Sequence, residues 1–311
     1  MSAMASNLPK PNYKTAELMT HSTARITCTY ESHKGGTGTG FFYRFSGEDY
    51  AYPVLITNKH VLKNQEGGAA VEGEFILSRI GENGNRLHIS HVPIGFHGYA
   101  DGWIPHPVDG IDLCVLPLAP WLEVMEERAI KPFIVYNDIS SLPTKEQYNS
   151  FSPMEKITMV GYPDGIWDQV NNLPIVRYGY TATAANIDYN GQEVFLIDAA
   201  VYPGSSGSPV YLYDESVKLT KKSEAENVIS QKTRIHLLGV ASAVKTQSWD
   251  GTIEVRDIPI SKMPVPVTDI PINLGIVIKS TRISEFEPLL RKMDTEITAK
   301  SVSSHGSQSA S

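Results

Sequence analysis

The sequence predicts an all-β protein, a sandwich or a barrel. Three observations point there. About a dozen short runs show period-two alternation or β-branched enrichment; Gly, Pro, Asn and Asp separate them; and they fall into two groups of six.

The first group comprises "ARITCTY" (24–30), "GTGFFYRF" (38–45), "PVLITNKHVL" (53–62), "EGEFILSRI" (72–80), "RLHISHVPI" (86–94) and "IDLCVLPL" (111–118). The second comprises "KITMVGYP" (156–163), "LPIVRYGYTAT" (173–183), "EVFLIDAAV" (193–201), "SPVYLY" (208–213), "RIHLLGVASA" (234–243) and "NLGIVIKS" (273–280). Between them, 119–153 reads as a connector with some helix. "SEFEPLLRKM" (284–293) is a helix candidate, with Ser284 as N-cap and Phe286, Leu289, Leu290 and Met293 on one face. The charged stretches 214–234 and 245–271 read as long loops, and the Ser-rich 298–311 as a disordered tail. The expected organisation is an N-terminal extension (1–21), a first β unit (22–130), a connector (131–153), a second β unit with its helix (154–295) and the tail (296–311).

Composition narrows the function. A net charge of −7 over 311 residues, without a Lys/Arg cluster, argues against a nucleic-acid binder, which needs a basic surface for phosphates. Two cysteines, Cys28 and Cys114, are too few for a disulfide scaffold or a cysteine zinc site and read as small buried hydrophobes. The N-terminus has no apolar segment behind a basic start, and no run of 18 apolar residues occurs. The expectation is a cytoplasmic protein without membrane contact.

Chemistry concentrates in "YPGSSGSPVY" (202–211). A serine there becomes a nucleophile only if a base takes its proton and a carboxylate orients that base. Of the nine histidines, His60 stands out: it ends an apolar strand that turns polar at Thr57-Asn58-Lys59, where a cleft can form. His88 and His91 alternate within a strand, and His21, His33, His97, His106, His236 and His305 have no supporting pattern. Asp112 opens an apolar strand, so its carboxylate is half-buried and needs a partner. Its competitor Asp109 lies in a turn beside Gly110 and is expected to be solvated.

"LITNKHVL", "DLCVLPL" and "DAAVYPGSSGSPV" resemble, in order and separation, the His, Asp and Ser boxes of the chymotrypsin-like serine proteases. The wording is nearest the HtrA/Deg-type and related bacterial trypsin-like peptidases, and "GTGTGFF" is similar to their Gly-rich strand. The resemblance covers residues 22 to 293. It implies two six-stranded antiparallel β-barrels, a C-terminal helix and an active site in the cleft between the barrels. It assigns Ser206 as nucleophile, His60 as general base and acid, and Asp112 as orienting carboxylate, with the N–H groups of Gly204 and Ser206 forming the oxyanion hole. After the helix too little chain remains for the PDZ domain that HtrA-type proteins append. Ser205 stands where trypsins have the Asp that captures a new N-terminus, so activation by N-terminal cleavage is not expected.

Ala200 and Tyr202 are expected to wall the primary pocket. Gly239, Val240, Ala241 and Ser242 should provide a strand edge for the substrate backbone. Ala200 stands where trypsins have a specificity Asp, so cleavage is expected after small or medium aliphatic residues. The expected activity is a serine endopeptidase acting on proteins or peptides without metal or cofactor. The alternatives are a catalytically silent barrel used as a binding module, or an esterase or viral-type processing protease on the same fold.

Overall fold

The computed structural model describes residues 15–64, 68–81, 86–100, 102–223, 226–249 and 268–306. A short helix α1 (Thr15–Thr20) leads into β1 (Thr23–Tyr30), β2 (Gly35–Ser46) and β3 (Ala51–Thr57). A one-turn helix α2 (Lys59–Leu62) precedes β4 (Lys63–Asn64), β5 (Gly68–Ile80), β6 (Arg86–Phe96), β7 (Ile104–Pro105) and β8 (Cys114–Pro117). Helix α3 (Ala119–Glu127), β9 (Pro132–Phe133) and α4 (Lys145–Ser150) connect to β10 (Lys156–Gly161), β11 (Ile175–Thr181) and β12 (Val194–Asp198). β13 (Pro209–Ser223), β14 (Glu226–Trp249), β15 (Thr268–Lys279) and α5 (Phe286–Gly306) complete the chain.

The C-terminal half is the expected barrel: β10-β11-β12-β15-β14-β13 closes on itself, six strands, all antiparallel. The N-terminal half differs from the six-stranded barrel expected. Its nine strands form one sheet ordered β4-β5-β1-β2-β3-β8-β7, with β6 and β9 also on β5, and among the described residues no ladder closes it. Three of the nine, β4, β7 and β9, have two residues each. A period-two pattern cannot register in two residues, so the sequence could not show them.

Alternation along β2 and β3 explains how the halves join. Phe41, Tyr43, Val54 and Ile56 face a core shared with Val160, Tyr211, Val240, Ile278 and Phe286. The intervening Phe42 and Leu55 point to the other face, with Ile26, Phe75 and Leu77. The barrel is filled by Ile157, Phe195, Ile197, Val210, Leu212 and Leu238.

Four local expectations change. The stretch 214–234 is not a loop but the arm of a β13–β14 hairpin, in register from Asp214↔Arg234 to Ser223↔Glu226; backbone pairing overrides its charged composition. Of 245–271, β14 and β15 pair from Lys245↔Leu274 to Trp249↔Thr268, and 250–267 lie outside the described residues. Ser284 caps nothing: it lies within a 3-10 turn (Ser280–Glu285) that feeds α5 at Phe286. The Ser-rich tail continues α5 as far as Gly306, and 307–311 lie outside the described residues. Ile283, Phe286 and Leu290 seat this C-terminal segment in the shared core. Among the described residues no helix is long and apolar enough to cross a membrane.

Candidate active site

The third strand of the N-terminal sheet ends in two buried polar residues, and these position the next turn. Thr57 donates its hydroxyl to Thr39 O (2.7 Å), and Asn58 donates its amide to Asp112 O (2.7 Å). Both are fully buried. His60 lies on α2 rather than at a strand end. Asp112 likewise precedes its strand, since β8 starts at Cys114.

Asp112 receives three further donors. His60 N–H reaches Oδ1 at 3.1 Å, while His60 Nδ1 and the Ser242 hydroxyl reach Oδ2 at 2.6 and 2.8 Å. Because the carboxylate only accepts, the network assigns the His60 proton to Nδ1 and leaves Nε2 as an acceptor. Nε2 lies 2.7 Å from Ser206 Oγ; a longer contact of 3.2 Å joins that hydroxyl to Ser242 O. The His60 and Asp112 side chains keep 41% and 30% of their surface exposed, so the cluster sits at the wall of a cleft rather than in the core. Asp109 is exposed, and Lys59 Nζ donates to its backbone carbonyl.

Ser206 comes from the C-terminal half, on the turn between β12 and β13. Gly204 in that turn has φ +82, and a Cβ there would stand 2.6 Å from Tyr162 O, so glycine is required. Pro203 O accepts from Asp164 N–H at 2.6 Å. A trans peptide places its C=O and N–H on opposite sides, so the Gly204 N–H points away from Asp164. Among the described residues neither Gly204 N–H nor Ser206 N–H has a hydrogen-bond partner. Both residues line a cavity of about 620 Å³ together with His60, Val61, Tyr30 and the strand 35–37.

The residues expected to bind substrate divide. Ala200 and Tyr202 are exposed on the approach to Ser206. Arg177 of β11 donates to Ala200 O, and its guanidinium lies 4.8 Å from the centre of the Tyr202 ring. Gly239, Val240 and Ala241 do not offer the free edge expected. Val240 pairs with Pro209 on one side and Ile278 on the other, and Ala241 exchanges bonds with Gly207 and Ser208. Val240 and Ala241 are also buried, as the middle of a closed barrel requires. Ser242 is at the site, as a partner of Asp112.

Sequence reasoning missed Thr39 and Arg177, and saw Asn58 only as part of the polar break Thr57-Asn58-Lys59. Thr39 was visible only as one of the polar residues in a Gly-rich strand. Arg177 stood inside an ordinary strand, and no local pattern marked either one.

Two β halves meeting at a Ser–His–Asp contact define the chymotrypsin-like class. The profile of the trypsin-like peptidase domain matches residues 38–217, more than half of the chain, and the chain belongs to that family. A search of curated proteins finds no match. Among solved structures the chain is similar to the active form of the Rv3671c protease from M. tuberculosis, at 12% identity and TM-score 0.40 over 86% of this chain and 79% of that one. It is similar to the protease Anisep from Arthrobacter nicotinovorans at 12% identity and TM-score 0.42, covering 86% and 94%. It is also similar to an HtrA-type protease, AlgW, bound to a decapeptide, at 12% identity and TM-score 0.38, covering 86% and 64%.

Proposed function

We propose that this chain is a serine endopeptidase that cleaves protein or peptide substrates through an acyl-enzyme on Ser206. The observation carrying this is the continuous series Asp112 Oδ2–His60 Nδ1 at 2.6 Å and His60 Nε2–Ser206 Oγ at 2.7 Å. Serine is nucleophilic only as its proton leaves, and a neutral imidazole held in the right tautomer can take it. Ser206 Oγ attacks the scissile carbonyl while His60 Nε2 accepts the proton. Asp112 stabilises the imidazolium, and Gly204 and Ser206 N–H receive the negative oxygen. His60 then protonates the leaving amine; water, deprotonated by the same nitrogen, releases the acyl group. The reading treats the N-terminal sheet as the second, barrel-like wall of the cleft.

For the residue before the scissile bond, small or medium aliphatic side chains fit the proposal. Ala200 offers a methyl group, and the charged side chain touching its carbonyl is the cation Arg177. A substrate Lys or Arg there would lose hydration beside a like charge. The primed side of the substrate lies along the cavity beside Gly35 and Gly36.

The test has two arms. A fluorophosphonate probe should label Ser206 in the wild type and not in Ser206→Ala; failure to label the folded wild type would favour a silent barrel used for binding. Ser206→Ala and His60→Ala should each lower kcat about a million-fold with the melting temperature retained. Peptide-library profiling dominated by cleavage after Arg or Lys would overturn the aliphatic preference.

A further inference from the structure

The segment 200–206 carries both proposed oxyanion donors, yet it is irregular backbone at a surface. Such a segment adopts one conformation only if its surroundings determine it. Three groups from three different elements hold its carbonyls. Thr39, on β2 of the other half, is fully buried and donates its hydroxyl to Gly204 O at 3.0 Å, while its own Oγ1 accepts from Tyr162 N–H at 3.0 Å. Asp164 donates its N–H to Pro203 O. Its φ of +48 lies in the left-handed region that Asp tolerates better than most residues, and it sets that N–H toward the segment. Arg177 donates to Ala200 O and covers Tyr202.

Arg177 is half-buried, and among the described residues no carboxylate lies within ion-pair distance of it. A charged guanidinium out of water needs compensation. Here that comes from a carbonyl and an aromatic face, both on the segment it touches. The turn's own hydroxyl is used internally, since Ser205 Oγ accepts from Tyr202 N–H at 3.3 Å and Ser205 is buried. The carbonyls of Ala200, Pro203 and Gly204, by contrast, are held from outside the turn.

We infer that Thr39 and Arg177 are positioning residues of the reaction: with Asp164 N–H they clamp residues 200–204 so that the Gly204 N–H faces the cleft. This rests on the protease reading for its catalytic consequence but not for its structural one. The clamp is assembled by groups of the folded chain itself, two side chains and one backbone N–H. The clamp therefore orders the proposed oxyanion donors from within the described chain.

The test uses the full chain and the variants Thr39→Val, Thr39→Ser, Arg177→Met and Arg177→Lys. Hydrogen–deuterium exchange of the peptide spanning 199–208 reads the clamp directly. Thr39→Val and Arg177→Met should exchange there about tenfold faster while the barrel strands β10 and β12 keep their protection. With a fluorogenic peptide, both should lose roughly 10- to 100-fold in kcat with KM within about threefold, less than deletion of an oxyanion donor itself. Thr39→Ser keeps the hydroxyl and Arg177→Lys the cation, so each should recover most of the loss. Unchanged exchange at 199–208 in both disruptive variants would overturn the clamp, as would kcat unchanged in an active enzyme. Loss of protection across the whole barrel would mark the residues as merely structural and overturn it too. Faster local exchange in a protein whose wild type neither labels nor hydrolyses would sink the protease reading and leave the clamp standing.

Discussion

Replacing Ser242 by Ala separates two roles for one residue. In the sequence it belongs to a substrate-binding strand edge; in the structure its hydroxyl is one of the donors on Asp112 Oδ2, at 2.8 Å. A hydrogen bond to an ionised group contributes about 1.5–3 kcal/mol. Asp112 keeps both His60 donors and 30% of its side-chain surface exposed, so water can replace Ser242 in part. The lower bound is then the better guide: about 1.5 kcal/mol, or roughly tenfold in rate. If, as proposed, Asp112 stabilises the imidazolium of the transition state, the loss should fall on kcat with KM little changed. Initial rates with a fluorogenic peptide, normalised by active-site titration, measure both constants, and a melting curve controls for folding. A raised KM at unchanged kcat would refute this reasoning and restore the substrate-edge role; so would rates within twofold of wild type.

Asp112→Asn should cost about ten-thousand-fold in kcat through the wrong imidazole tautomer, while Asp109→Asn should stay near wild type; the reverse order in steady-state assays would identify the other aspartate as the orienting group. Gly207→Ala should lower the melting temperature sharply, because the new Cβ would stand 1.9 Å from Thr39 O at a φ of +87. Phe75→Ala, which empties a fully buried site, should cost about 3–5 kcal/mol in chemical denaturation. His106 accepts from Val108 N–H at Nδ1 and donates from Nε2 to Arg282 O, tying the N-terminal sheet to the segment before α5. Burial holds its pKa below the ordinary 6.5 despite the nearby Glu285 carboxylate, and burial shifts His236 the same way. A depressed pKa means that the unfolded chain binds protons first. Stability should therefore fall as pH drops below 6.5, and a denaturation midpoint flat from pH 7 to 5 would contradict this.

By itself the sequence determined the all-β class and most strands longer than about four residues, and it singled out three residues, His60, Asp112 and Ser206, that the structure brings into contact. The class and the strands are written locally, as a two-residue period, and His60 and Asp112 as polar positions beside an apolar run, none of which needs knowledge of what packs against it; Ser206 was separated from Ser205 and Ser208 only by the family resemblance. The sequence did not determine closure: alternation fixes which face of a strand is buried, not which edges meet, so a nine-stranded sheet and a closed six-stranded barrel read alike. It misread 214–234 because charge is compatible with a hairpin whose pairing partner is its own return strand. It placed the substrate edge at Gly239–Ala241 because nothing local says that both sides of β14 are occupied. The tertiary structure alone decided that Ser242 serves Asp112, that Thr39 of one half holds Gly204 of the other, and that Arg177 covers Tyr202. These contacts span 25 to 165 residues of chain, and hydrogen-bond partners so far apart leave no periodic trace in the sequence.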